Sequence, residues 1–151
     1  MKIGEKGLSL LKMLEQGPKG GFASVTYKCS SGKDTIGYGH VILPNDKIKE
    51  PITKIQAEEL MSNDIKWAEA SVNKNVKAIL SQNKFDALVC LVFNIGASNF
   101  ATSTLLKFIN EGLFDKVPNQ FMRWVYSNKK PLEGLKNRRA AEVVLWLDNK
   151  I

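Results

Sequence analysis

A chain of 151 residues, 44% hydrophobic and 25% charged, can bury a core of its own, which argues against a disordered chain or a fold held by disulfide staples. Two cysteines make no disulfide framework, and no segment approaches the roughly 18 apolar residues of a membrane span. The net charge of +7, with six Lys or Arg against the single acid Glu133 between Arg123 and Arg139, calls for a polyanionic partner: nucleic acid, an anionic membrane surface or an anionic glycan such as bacterial cell wall.

In chain order, Leu10, Leu11 and Leu14 share one helical face over residues 7–15, and Gly17-Pro18 should stop that helix. The opening MKIGEKGLSLLKMLEQGPKGG lacks the long apolar run of a signal peptide. The expected location is therefore the cytosol of the producing cell until another agent releases the protein. Residues 17–21 (GPKGG) read as a loop, and about 22–43 as short strands around a Ser30–Lys33 turn.

After Pro51 the pattern turns helical. Thr53-Lys-Ile-Gln56 has the form of a capping box, and Ala57, Leu60, Met61, Ile65, Ala68 and Val72 follow at 3-4 spacing. A second helix should start after Ser81, be apolar nearly all round and close at Gly96, which marks it as the central buried helix. Shorter helices are expected at about 103–110, 114–126, 132–136 and 138–149. The fold class expected is α+β: a small N-terminal antiparallel sheet and a larger helical lobe in one domain over 1–151, with the sheet lobe at about 17–50 and the helical lobe at 51–151 plus the N-terminal helix.

The chemistry-bearing residues gather early. Glu15 falls in the last turn of the first helix, where the negative helix end disfavours a carboxylate and should raise its pKa, as suits a general acid. Cys29 and Thr35 stand six apart across a turn, and Gly37 and Gly39 leave one strand face bare for a close approach. No His, Cys and carboxylate cluster has metal-ligand spacing, no phosphate-binding glycine loop is present, and no cofactor is expected.

Gly7-Leu-Ser-Leu-Leu-Lys-Met-Leu-Glu15 followed by Thr35-Ile-Gly-Tyr-Gly-His40 resembles the active-site region of the phage-type lysozymes (endolysins, glycoside hydrolase family 24). The likeness continues through Ile52–Leu60, Phe85–Leu88, Phe93–Gly96, Ser103–Lys107, Gln120–Trp124, Gly134–Arg139 and Ala141-Glu142. It implies a lysozyme-like fold and cleavage of the β-1,4 bond between N-acetylmuramic acid and N-acetylglucosamine in peptidoglycan. Glu15 would protonate the glycosidic oxygen and Thr35 would hold the attacking water. Cys29 stands where related enzymes often carry an aspartate that aids that water. It follows Glu15 by 14 positions, a wider gap than the family's, with the extra residues most simply in GPKGGF. With an ordinary pKa of about 8.5, the thiol is expected to be mostly neutral at pH 7, a water-positioning or auxiliary group and no covalent nucleophile.

Supporting residues carry two readings each. His40 with Asp64 is expected to brace sheet against helix, in preference to catalysis. Arg138, ahead of Arg139, is expected to pair with Glu15. Asn94 either binds an acetamido group or caps the central helix, Trp124 either lines the sugar cleft or fills the core, and Cys90 packs. The partners expected are peptidoglycan glycan strands, with no nucleic acid and no membrane insertion, for a monomer released through holin lesions. A wall-binding protein of weak activity and a basic nucleic-acid-binding helical module are the competing readings; only the charge supports the latter.

Overall fold

The computed structural model describes residues 1–149. They form two compact units, one of residues 11–66 and one of residues 1–10 with 67–149. The first helix, α1 (Glu5–Leu14), runs through the boundary at Leu10.

The smaller unit holds a three-stranded antiparallel sheet, β1 (Ala23–Lys28), β2 (Asp34–Gly37) and β3 (His40–Val41), in sequence order. Helix α2 (Lys54–Asp64) belongs with it, so the sheet lobe reaches beyond the expected limit at residue 50. The reason is packing: Gly37 lacks a side chain, and its vacant Cβ position lies 3.4 Å from the Cβ of Ala57 on α2. Gly37 adopts φ +68° there, a left-handed conformation that glycine reaches without strain. Leu11, Ile36, Tyr38, Ile52, Ala57, Met61 and Ile65 are the unit's buried apolar residues.

Thr53 caps α2 reciprocally: its hydroxyl accepts from Gln56 N at 3.2 Å, and Gln56 Oε1 accepts from Thr53 N at 2.8 Å. The single 3-4 stripe expected from Ala57 to Val72 is broken at Ile65, the C-cap of α2, and resumes in α3 (Lys66–Asn75).

The larger unit is built on α4 (Gln82–Ile95). Ser81 accepts from Lys84 N at 3.2 Å as its N-cap, Gly96 (φ +94°) ends it, and residues 85–92 are all buried. Around it come α5 (Ala97–Ala101), α6 (Thr104–Asn110), a 3-10 turn (Phe114–Lys116), α7 (Val117–Phe121) and α8 (Glu133–Leu147). Phe85, Phe100, Leu105, Ile109, Phe121 and Trp146 close the core, each large side chain worth about 1.5–3 kcal/mol on burial.

Two expectations fail in this unit. The helix over 114–126 is interrupted, because Pro118 fits only the first turn of α7 and the chain then enters a hairpin of β4 (Tyr126–Ser127) and β5 (Lys130–Pro131). Asn128 (φ +50°) and Lys129 (φ +64°) form its two-residue turn with both centres left-handed. The two short helices expected at 132–136 and 138–149 are one, α8, which runs unbroken through Asn137 as it packs on α4.

Gly7 explains the start of α1. Asp86, 1% exposed, accepts from Gly4 N at 2.9 Å, Gly7 N at 3.1 Å and Gln82 Nε2 at 2.8 Å. It thus satisfies first-turn N–H groups that have no partner within the helix. A Cβ on Gly7 would stand 2.7 Å from the Cβ of Asp86.

Candidate active site

Helix α1 ends at Leu14, and Glu15 N still bonds the Leu11 carbonyl at 2.8 Å, so Glu15 sits half-buried in the final turn. The following GPKGG segment closes on itself: Gly17 N donates to Gly21 O at 2.8 Å and Gly20 N to Gly17 O at 3.0 Å. Positive φ at Gly20 (+80°) and Gly21 (+60°) permits that tight reversal. This self-bonded loop lies within the Glu15–Cys29 interval.

Glu15 lies against Gly39, in the turn between β2 and β3. A Cβ on Gly39 would fall 3.0 Å from Glu15 Oε2 and 3.4 Å from Glu15 Cβ. Gly39 also holds φ +74°, so both space and backbone conformation require glycine.

The β1–β2 register pairs Tyr27 with Thr35 and Lys28 with Asp34. Cys29 N continues the ladder with a 3.0 Å bond to Lys33 O. Side chains two apart on a strand share a face, so Tyr27, Cys29 and Thr35 project together, Cys29 diagonal to Thr35. Asp34 belongs to the opposite face. Tyr27 was missed in the sequence, although its position two before Cys29 was the available signal.

The Cys29 thiol overturns the expectation of neutrality. Ser31 Oγ lies 3.0 Å from Sγ, and this bond, with further ones from Thr35 and from the backbone N–H groups of Lys33 and Ser31, lowers the pKa from 9.0 to about 6. Hydrogen bonds to the charged form favour it, so the thiolate dominates at pH 7. Thr35, 2% exposed, donates its hydroxyl hydrogen to Lys33 O at 3.0 Å. The Tyr27 phenol has its pKa raised, first by burial and then by the charges of Cys29 and Glu15. It remains a neutral donor within electrostatic reach of Cys29 and Glu15.

His40 is 6% exposed, with Nδ1 2.8 and 3.0 Å from the Asp64 oxygens and Nε2 2.8 Å from Asp46 Oδ2. The imidazole thus ties β3 to the end of α2, with both ring nitrogens engaged. Asp46, absent from the expected pair, also accepts from Leu43 N at 2.7 Å. Burial pushes the His40 pKa down, but the bonds to Asp46 and Asp64 and their charges outweigh it and raise the pKa overall. Burial raises Asp64, and the Leu43 N–H and then His40 lower Asp46.

In the helical unit, Arg138, Arg139, Asn94 and Trp124 meet around Glu142, which is fully buried. Arg138 donates to Glu142 at 3.3 Å and to Cys90 O at 3.1 Å. Arg139 bonds Glu142 and Asn94 Oδ1, and donates to Trp124 O at 2.9 Å. Asn94 is therefore a partner of Arg139 and does not act through a cap on α4. The Trp124 side chain is half-buried on the core and borders a polar pocket of about 300 Å³ with Gln120, Arg123 and Ser103. Glu142 was quoted in the sequence motif without a role; it neutralises two arginines that could not otherwise be buried. Among the described residues no His, Cys, Asp and Glu group could hold a metal ion.

A small antiparallel sheet bearing a glutamate-led constellation, with a helical unit around one buried helix, is the architecture of a lysozyme. A phage lysozyme family model matches residues 18–142, and the chain belongs to that family. It is 42% identical over 150 residues to an endolysin of Acyrthosiphon pisum secondary endosymbiont phage 1, covering 97% of this chain and 98% of the relative. The endolysin of Escherichia coli O157:H7 phage FAHEc1 superposes with TM-score 0.87 at 34% identity, over 99% of this chain and 96% of that one. A P22 lysozyme mutant gives TM-score 0.85 at 33% identity, over 98% and 99%. The protein is a lysozyme-type peptidoglycan hydrolase.

Proposed function

We propose that this hydrolase cleaves the glycan at N-acetylmuramic acid with Glu15 as general acid and Cys29 and Thr35 holding the water. The observation that carries the assignment is the Glu15 carboxyl seated against Gly39, with the Tyr27–Cys29–Thr35 face in electrostatic reach. Glu15 gives its proton to the glycosidic oxygen as that C–O bond breaks, and positive charge develops at the anomeric carbon. The Cys29 thiolate stabilises that charge and orients the water whose oxygen forms the new bond, the released proton passing to the thiolate or to solvent. Thr35, able to donate and accept, bridges thiolate and water.

Arg138, its guanidinium fixed by Glu142, is a supporting cation; Asn94 and Trp124 serve the saccharide side through Arg139. His40 and Asp64 support the sheet and take no part in the chemistry. The protein acts as a monomer on peptidoglycan, reaching the wall from the host cytoplasm after holin lesions form. Clearing of purified peptidoglycan by the wild type and by Glu15→Gln tests the assignment, and equal clearing would overturn it. Expression in bacteria with and without a holin tests the release: lysis in both cultures would refute it.

A further inference from the structure

The helical unit carries a pocket of about 370 Å³ to which the hydrolysis assigns nothing. Trp67, Ala70, Ser71 and Lys74 of α3 line it together with Ala97 and Ala101. Trp67 is 44% exposed. One of its faces stacks on Phe93, centroids 5.9 Å apart and rings inclined by 26°, so a second flat face is available. A large aromatic surface left to water forfeits the gain that its burial would bring.

The second observation is Ser71. The residue is 8% exposed, and its Oγ is the one buried side-chain polar atom without a hydrogen-bond partner among the described residues. An unsatisfied buried hydroxyl is costly, and such an atom in a native fold calls for a partner from outside the chain. Trp67, Ser71 and Lys74 follow each other at i, i+4 and i+7, so they form one stripe of α3. The alanines beside them keep the floor shallow.

We propose that this pocket is a saccharide site for an N-acetylhexosamine ring of the glycan strand. The apolar face of the ring stacks on Trp67, and a ring hydroxyl or acetamido oxygen meets Ser71 Oγ. Lys74 faces the carboxylates that a muramoyl residue and its peptide carry. The pattern of one flat aromatic wall with a few polar groups suits a sugar. A single lysine is too little charge for nucleic acid, and an apolar peptide would leave Ser71 unsatisfied. The proposal rests on the hydrolase reading, since a glycan strand is the polymer this enzyme meets.

The test uses the full chain with Glu15→Gln, so that nothing is consumed, titrated with tri-N-acetylchitotriose while the indole N–H resonances are followed. The Trp67 signal should shift saturably, and that of Trp146, 1% exposed, should stay still. Trp67→Ala should weaken binding at this site about tenfold and Trp67→Tyr should retain most of it. Ser71→Ala loses no protein hydrogen bond, so its Tm should hold or rise while affinity falls about fivefold. A silent Trp67 resonance, or unchanged affinity in both Trp67→Ala and Ser71→Ala, would overturn the proposal. Failure of the catalytic assignment would appear separately, as wall clearing by the Glu15→Gln protein.

Discussion

Gly39 and Glu15 are in contact across the smaller unit: a single β-carbon on Gly39 would intrude to 3.0 Å from Glu15 Oε2. The glycine does two things there. It supplies the left-handed backbone at φ +74°, and it leaves the space in which the Glu15 carboxyl stands.

Gly39→Ala should therefore damage activity more than stability. The strained φ costs about 1–3 kcal/mol, and the methyl group must displace the Glu15 carboxyl. We expect wall clearing to fall at least tenfold while Tm drops by several degrees. Clearing at the wild-type rate by a folded variant would show that Glu15 tolerates displacement and is not the acid.

Cys29 should write its titration into the pH–rate profile. Its pKa is lowered to about 6. Activity that depends on the thiolate should rise through that pH and level off above it. Cys29→Ala should lose this inflection and most of the rate, and Cys29→Asp should keep the rate with the inflection moved into the carboxylate range. For stability the sign is the same: a depressed pKa stabilises the fold above the unfolded value and loses that contribution as pH falls through about 6. An unchanged inflection in Cys29→Ala would assign it to another group.

His40 works in the opposite sense. Its folded pKa is raised above the ordinary 6.5, so its contribution is complete below that value and lost as pH rises through the folded pKa. His40→Asn should lower Tm more at pH 5.5 than at pH 8.5, with a loss of about 1–3 kcal/mol at the lower pH. Chemical denaturation at the two pH values measures this, and equal losses would remove the ion pairs with Asp46 and Asp64 as the cause.

Asp86→Ala should destabilise by about 2–3 kcal/mol, because Gly4 N and Gly7 N lose their acceptor at the start of α1. Asp86→Asn keeps one acceptor oxygen and should lose about half as much. A urea titration distinguishes them.

Glu142→Ala should cost more, about 3–5 kcal/mol, since it leaves Arg138 and Arg139 buried without their shared carboxylate. Differential scanning calorimetry would show the loss. A change within about 0.5 kcal/mol would mean that the arginines find other partners.

The local chemistry of the chain was readable residue by residue. Gly17-Pro18 ended α1, the Thr53–Gln56 box started α2, and Ser81 and Gly96 bounded α4, because caps and breakers act over three or four neighbouring residues. The motifs from Glu15 to Glu142 pointed to the lysozyme class in the same way. Where packing competes with propensity, the sequence misled: α8 runs unbroken through Asn137 along α4, and residues 122–126 leave a helical pattern for a hairpin turned at Asn128 and Lys129.

The site shows the same division. Glu15, Cys29 and Thr35 became candidates through their likeness to the active-site motif of the family. The ionisation of Cys29, the diagonal placing of Thr35, the second carboxylate on His40 and the presence of Tyr27 were not visible in the sequence. A thiol becomes a thiolate only when donors converge on it in three dimensions, and a register decides which side chains share a face. Sequence thus determined the elements and the residue types that chemistry needs. Tertiary structure alone set their protonation and partners, because electrostatic and hydrogen-bond energies depend on distances of a few ångströms that position in the chain does not fix.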